Sequence, residues 1–375
     1  MNLQSLLLCS DEKIVRVLRR TLGDLEIGVE HCSNSDAALR RLTRERFEAI
    51  IVDCAMDGAE SVLRSARRAA GNKRAVAVAI LDSDTAIRSA FDLGAHFILY
   101  KPVSVERAKS SFRAARALMK KERRRNARLT MQVPVEMSNR ETGAQLKVKT
   151  ADIGEGGLAV ILPRRQRLHG RWQLEFTLPG SSTGQTVSAE FAWEGTGNQV
   201  GLRFIDQTAE FTRELREWLR RNSDDIEIDD PPAHCRLTDL SLGGCYLDVA
   251  SPFPISTRVS LTMRAARTEL QIAGVVRVMH PERGMGVEFA HGNNTGSALE
   301  NFLNVLTQNR EVQPEILVEP EGLETESGWR EQDVEPFLGD TLLGLFRTQA
   351  SLPPEAFQME LQKQRGMAAA ATASA

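Results

Sequence analysis

The chain has 375 residues, a formal net charge of −2 at pH 7 and an apolar content of 42 %. That length allows about two to four domains, and that apolar content supplies real cores. The near balance of charge excludes a global field that would draw the protein to nucleic acid or to a membrane surface.

The five cysteines, Cys9, Cys32, Cys54, Cys235 and Cys245, form neither a CxxC pair nor an even framework. This spacing points to a reducing compartment. The opening MNLQSLLLCSDEK is too short in its apolar run for a signal peptide and lacks a basic front. No stretch approaches the roughly 20 apolar residues that span a bilayer, so a soluble, cytoplasmic protein without a membrane partner is expected.

Over residues 1–118, short apolar runs near Leu6, Ile50, Ala75 and Phe97 alternate with amphipathic stretches such as EKIVRVLRRTL and SDAALRRLTRERF. Runs too short for helices, separated by three-and-four spacing, predict a doubly wound α/β domain with a parallel sheet. Ligands of such sheets gather at the carboxyl ends of the strands. Asp11, Asp53 and Lys101 fall at those ends.

This set resembles the receiver domain of bacterial response regulators. Ser10-Asp11-Glu12 stands where that family has an acidic pair, Asp53 matches its phosphoacceptor, and Lys101-Pro102 its Lys-Pro. Met56 and the Gly94-Ala95 turn also fit, and Ser83 in the run LDSD stands at or near the switch hydroxyl. The resemblance implies a flavodoxin-like fold, Mg²⁺ held by Asp11 and Asp53, and a histidine kinase as phosphoryl donor. Lys101 would neutralise the phosphoryl oxygens. Two departures matter: Ser10 removes a metal-orienting charge, and Asp57 stands where the family commonly has Pro. The alternative is a receiver-shaped docking or homodimerisation domain without phosphoryl chemistry.

Ser104 can cap a helix in which Glu106 suits the first turn and Ala108, Phe112, Ala115 and Met119 form one buried stripe. The helix should run out of the first domain. Its end is basic, with Lys120, Lys121, Arg123, Arg124 and Arg125, a run that is either a solvated face or a patch for phosphates.

After Arg128 the texture changes to short strands separated by Gly, Pro and Ser. The segment TADIGEGGL from Thr150 has a counterpart in LTDLSLGGC from Leu237, and VSAEFAWEGTGNQVGLRF from Val187 is echoed by LQIAGVVRVMHPERGMGVEF from Leu270. Asp152 precedes Phe204 by 52 positions and Asp239 precedes Phe289 by 50. Each copy closes with a helical pattern. A tandem pair of small antiparallel β-barrels with terminal helices is predicted, over residues 119–222 and 223–310.

The repeat resembles PilZ, the bacterial domain that binds cyclic di-GMP through RxxxR on an N-terminal arm and (D/N)xSxxG on a strand. In the first copy Arg124 and Arg128 supply RxxxR, Asp152 and Gly157 the ends of the second motif, and Gly154 stands in place of Ser. In the second copy Asp239, Ser241 and Gly244 match fully, but an acidic stretch, SDDIEIDDPPAHCR, replaces the arginines. The resemblance implies a cyclic di-GMP site at Arg124, Arg128, Asp152, Gly154 and Gly157. Arginine forks pair phosphates and stack on bases, and a carboxylate accepts from a guanine edge. Without arginines, the second-copy motif reads as structural.

From Glu311 the composition is rich in Glu and Pro and suggests an acidic disordered linker, so residues 311–375 are expected as linker and tail. Leu342, Leu343, Leu345 and Phe346 could anchor a short amphipathic helix on the protein itself or on a partner. No zinc spacing, Walker loop, GxSxG elbow or HExxH helix occurs. A non-enzymatic signalling adaptor that binds cyclic di-GMP and contacts an unknown protein partner is expected. A ligand-blind interaction scaffold is the alternative, and a nucleic-acid binder using the basic run stands third.

Overall fold

A computed structural model describes residues 3–69, 71–82, 87–126, 128–139, 142–164, 168–195, 197–222, 229–290, 295–308, 313–323, 341–348, 355–357, 359–360 and 363. Residues 123–228 form one compact unit; residues 2–122 and 229–375 together form another.

The second of these units begins with β1 (Leu3–Leu8), α1 (Glu12–Asp24), β2 (Ile27–Cys32), α2 (Ser35–Arg44), β3 (Ala49–Asp53), α3 (Ala59–Arg68), β4 (Val76–Leu81), α4 (Ile87–Asp92), β5 (Phe97–Tyr100) and α5 (Val105–Asn126). The strands pair in parallel in the order β2-β1-β3-β4-β5, the receiver-like arrangement with a switch point between β1 and β3. β3 and β4 are buried at every position, as strands covered on both faces must be. Ser104 caps α5 by accepting from the Arg107 amide at 3.2 Å. The predicted stripe of Ala108, Phe112, Ala115 and Met119 is fully buried.

The same unit continues with β13 (Ala233–Leu240), β14 (Gly244–Asp248), β15 (Thr257–Ala265), β16 (Thr268–His280), β17 (Gly284–Phe289), α7 (Thr295–Gln308), β18 (Glu315–Leu323) and α8 (Thr341–Thr348). The strands close a barrel in the order β13-β14-β17-β16-β15-β18. One continuous core runs from Leu18 and Phe112 in the α/β domain to Phe253, Met285 and Phe302 in this barrel. Along α5, Ser110 Oγ lies 2.7 Å from Ser251 Oγ, Arg116 and Lys120 reach Asp230 at 2.5 and 2.8 Å, and Lys121 reaches Asp229 at 3.3 Å. The acidic stretch thus neutralises the start of the basic run, and Lys120 is buried.

The other unit holds β6 (Leu129–Thr130), β7 (Pro134–Ser138), β8 (Gln145–Gly154), β9 (Gly157–Ile161), β10 (Arg171–Thr177), β11 (Gly184–Glu194), β12 (Gln199–Ile205) and α6 (Ala209–Asn222). Its sheet order is β6-β8-β7-β10-β11-β12-β9, and the β8–β9 pairing closes a six-strand barrel. Its core draws only on this unit, with Phe211, Leu215 and Trp218 of α6 filling one end.

The two barrels superpose strand for strand with one permutation. β8, β9, β12, β11 and β10 correspond to β13, β14, β17, β16 and β15. The sixth position is filled by β7, upstream of the motif strand, in the first barrel and by β18, downstream, in the second. This corrects the reading of residues from Glu311 onward as linker and the ending of the second barrel at 310. EILVEPEGL is a strand whose burial alternates, with Ile316, Val318, Pro320 and Gly322 facing inward. Five strands would leave β13 and β15 as open edges, and an unpaired edge is costly.

Candidate functional site

In the first barrel the arm reaches the motif strand directly. Arg124 lies in the last turn of α5, and Arg128 immediately precedes β6, where Thr130 pairs with Asp152. Arg128 Nη1 donates to Asp152 Oδ1 at 2.7 Å, with the arginine 39 % and the carboxylate 19 % exposed. Gly154 pairs with Gly157 at the tight β8–β9 turn. A Cβ on Gly157 would run into the Leu202 carbonyl, so only glycine lets β9 and β12 approach this closely.

Asp152 begins a row of residues on the outer face. It pairs with Ala159, Ala159 with Gly201, and Gly201 with Trp193. Their sequence neighbours Ile153, Leu158, Val160, Val200 and Leu202 all point into the core, so alternation sends the row outward. Three strand spacings separate Asp152 from Trp193, about 14 Å at about 4.8 Å per spacing. Between them lie two small residues, Ala159 and Gly201, both buried in this structure. The Trp193 indole folds over Gly201, where a Cβ would strike it, and remains 39 % exposed. The place of Trp193 on this row emerges only from the register.

The second-copy residues occupy matching positions. Asp239 pairs with Tyr246, Tyr246 with Gly286, and Gly286 with Val278. Gly244 approaches the Val287 carbonyl as Gly157 approaches that of Leu202. Ser241 Oγ accepts from the Gly243 and Gly244 amides at 3.3 and 3.2 Å and so closes the turn, in keeping with a structural motif.

At the carboxyl ends of the parallel strands, Asp53 is 3 % exposed at the end of β3. Lys101 Nζ lies 2.8 Å from Asp53 Oδ1 and 3.3 Å from Asp82 Oδ1. Burial works against the Lys101 ammonium, but the hydrogen bonds and charges of Asp53 and Asp82 outweigh it and hold its pKa above the ordinary value. Sequence reasoning missed Asp82. Its carboxylate reaches Lys101 because the Lys101 amide continues the β4–β5 ladder to Leu81. Ser83 lies outside the described residues.

The expected Mg²⁺ site at Asp11 and Asp53 does not fit these side chains. Asp11 caps α1, its Oδ1 accepting from the Lys13 and Ile14 amides at 2.8 and 3.3 Å. Asp53 Oδ1 holds Lys101 and the Ala55 amide, while Cys9 Sγ sits 3.6 Å from Oδ2. Mg²⁺ demands hard oxygen ligands, and the neighbour here is a thiol whose pKa burial and then Asp53 push to about 11. Among the described residues, no three His, Cys, Asp or Glu side chains converge as a metal site, and no helix is long and apolar enough to cross a membrane.

A family model described as PilZ domain matches residues 122–221 and again 222–304. The second match stops short of β18. Among curated proteins, none matches the chain. Similar solved structures include a response regulator of Chloroflexus aurantiacus, at 17 % identity over 31 % of this chain and 98 % of that one, with a TM-score of 0.29. A chemotaxis response regulator of Vibrio cholerae is 20 % identical over 31 % and 99 %, with a TM-score of 0.29. The PilZ domain of a cellulose-synthesising bacterium is 18 % identical over 26 % and 94 %, with a TM-score of 0.21.

Proposed function

We propose, from the two segments of the chain that match the PilZ domain model, that the protein is a signalling adaptor binding cyclic di-GMP on the outer face of its first barrel. Arg124 and Arg128 would pair the two phosphates, and Asp152 would accept from a guanine edge. Ala159 and Gly201 would floor the row, with Trp193 as a flat apolar flank. The observation that carries the reading is the meeting of Arg128 with Asp152 at 2.7 Å, which sets the arm's cation beside the motif carboxylate. Planar guanidinium groups suit this task because they bind phosphate bidentately and stack on bases. Lys120 and Lys121, already paired with Asp230 and Asp229, offer little to nucleic acid, which supports a small anionic ligand instead.

In this reading the receiver-like domain is a docking platform and not a phosphoacceptor. Asp11 Oδ1 caps α1 and Asp53 Oδ1 holds Lys101, and among the described residues no third ligand joins them to hold the ion that phosphoryl transfer requires. A kinase partner is therefore not part of the proposal, and output passes through protein contact.

Calorimetric titration of the full chain with cyclic di-GMP tests the reading. Saturable heat is expected from the wild type. Arg128→Ala should weaken binding by about tenfold or more, the scale of losing one hydrogen bond to a charged group, roughly 1.5–3 kcal/mol. No heat from the wild type would overturn it in favour of the ligand-blind scaffold, and undiminished binding by Arg128→Ala would overturn the assignment of the site to the arm and Asp152. Intact-mass measurement after acetyl phosphate and Mg²⁺ should show no adduct; an adduct lost in Asp53→Asn would restore the phosphoacceptor.

A further inference from the structure

On the second barrel the row of Asp239, Tyr246, Gly286 and Val278 is occupied. Tyr246 and Val278 are buried in a cluster with Leu342, Leu343, Leu345 and Phe346 of α8 and with Phe357. The Phe346 ring lies against two glycines. A Cβ on Gly286 would come within 2.8 Å of its Cζ, and a Cβ on Gly244 within 3.1 Å of its Cε2. Phe357 closes the other side, its ring centroid 5.3 Å from that of Tyr246 and 5.1 Å from that of His280. Tyr246 Oη and His280 Nδ1 are 2.7 Å apart, so the polar ends of both rings are satisfied beneath the helix.

The register of this row matches that of the first barrel, but its chemistry is inverted. Where the first barrel has Ala159 and Trp193, the second has Tyr246 and Val278. Glycine at 286 now makes room for a phenyl ring. An eight-residue helix is too short to persist alone in water. The helical form of α8 is therefore coupled to its seat on the barrel, as in recognition of an amphipathic helix by an apolar groove.

We propose that the second barrel is a receptor for an amphipathic helix, filled in cis by α8 on the row equivalent to the one the first barrel is proposed to use for its dinucleotide. The comparison with a nucleotide rests on that reading; the helix site does not. Its ligand class is a helix presenting the pattern Leu-Leu-x-Leu-Phe, and a partner bearing that pattern would have to displace the tethered copy. Residues 324–340 join β18 to α8. Covalent connection makes this contact intramolecular, at an effective concentration on the order of millimolar, so the cis helix holds the groove against weak competitors.

The test uses a fluorescent peptide of residues 338–364. In the full chain, Leu343→Asp with Phe346→Asp should free the groove, and the peptide should bind this variant at least about tenfold more tightly than the wild type. A chain ending at Leu323, which retains all six strands, should behave like the variant and serves if the variant does not fold. The same peptide carrying Phe346→Asp should bind neither. Equal binding to open and closed proteins, or no binding to either open form with its fold intact by circular dichroism, overturns the proposal. So does displacement of the peptide by cyclic di-GMP. Failure of the first barrel to bind cyclic di-GMP would leave these outcomes unchanged.

Discussion

Truncation on either side of β18 should separate a folded protein from an unfolded one. The strand pairs antiparallel with β15 at eight positions, from Thr257–Leu323 to Arg264–Glu315, and with β13 at three. Ile316 and Val318 are 1 % and 0 % exposed. At about 1.5–3 kcal/mol for each fully buried branched side chain, these two contribute roughly 3–6 kcal/mol before any ladder bond is counted. Total domain stability is only about 5–15 kcal/mol. A chain ending at residue 310 should therefore lose the second barrel, while one ending at 323 should keep it. Because the α/β domain shares its core with this barrel, it too should soften. Thermal unfolding by circular dichroism, with limited proteolysis mapped by mass spectrometry, reads both effects. Equal midpoints and equal protease resistance of residues 229–308 in the two chains would refute the closed-barrel argument.

Neighbouring glycines at the first motif should respond oppositely. Gly157→Ala forces a Cβ onto the Leu202 carbonyl, whereas Gly156→Ala meets nothing within 4 Å; the former should cost about 1–3 kcal/mol or more and the latter less than about 0.5 kcal/mol in denaturant titrations. Thiol chemistry should be quiet in the native state. Burial first, then Asp53, raises Cys9 and Cys54 to about 11, and burial raises Cys235 to about 12. A thiol reagent at pH 8 should thus label the native protein slowly and all five cysteines in denaturant. Above about 8.5 the unfolded thiols lose protons that the folded ones keep. Their contribution is therefore complete below that pH and lost as pH rises toward 11. A thermal midpoint that rises between pH 8.5 and 10.5, or rapid native labelling of several thiols, would contradict this.

Much of the architecture is legible in local pattern. The α/β alternation, the stripe on α5 and the repeat of Asp, Gly-Gly and G-x-G-V-x-F-like strands each depend on residues near one another in sequence. β18 is not legible because its inward positions include Pro320 and Gly322, whose composition imitates disorder. Its need arises only when the second barrel is found to lack an upstream strand. Asp82 and Trp193 belong to their sites through register between distant strands. Sequence order suggests that the basic helix couples the α/β domain to the first barrel. The compact unit instead joins that domain to the second barrel, through pairs such as Arg116–Asp230 that lie more than a hundred positions apart. The tail residues were legible as anchors, and Leu342, Leu343, Leu345 and Phe346 dock on the protein itself.

The ionic seam on α5 joins two stretches of the larger unit that lie more than a hundred positions apart. The chain leaves the larger unit after Glu122 and re-enters it at Asp229, whose carboxylate meets Lys121 at 3.3 Å. Departure and return are thus held together within the larger unit, and in chain order residues 123–228 are an insertion between them, a cassette. A cassette wired in this way can be excised by bridging a short gap, or exchanged for another domain whose ends lie close together. It also has a short signalling lead, since Arg128 is only six residues from Glu122.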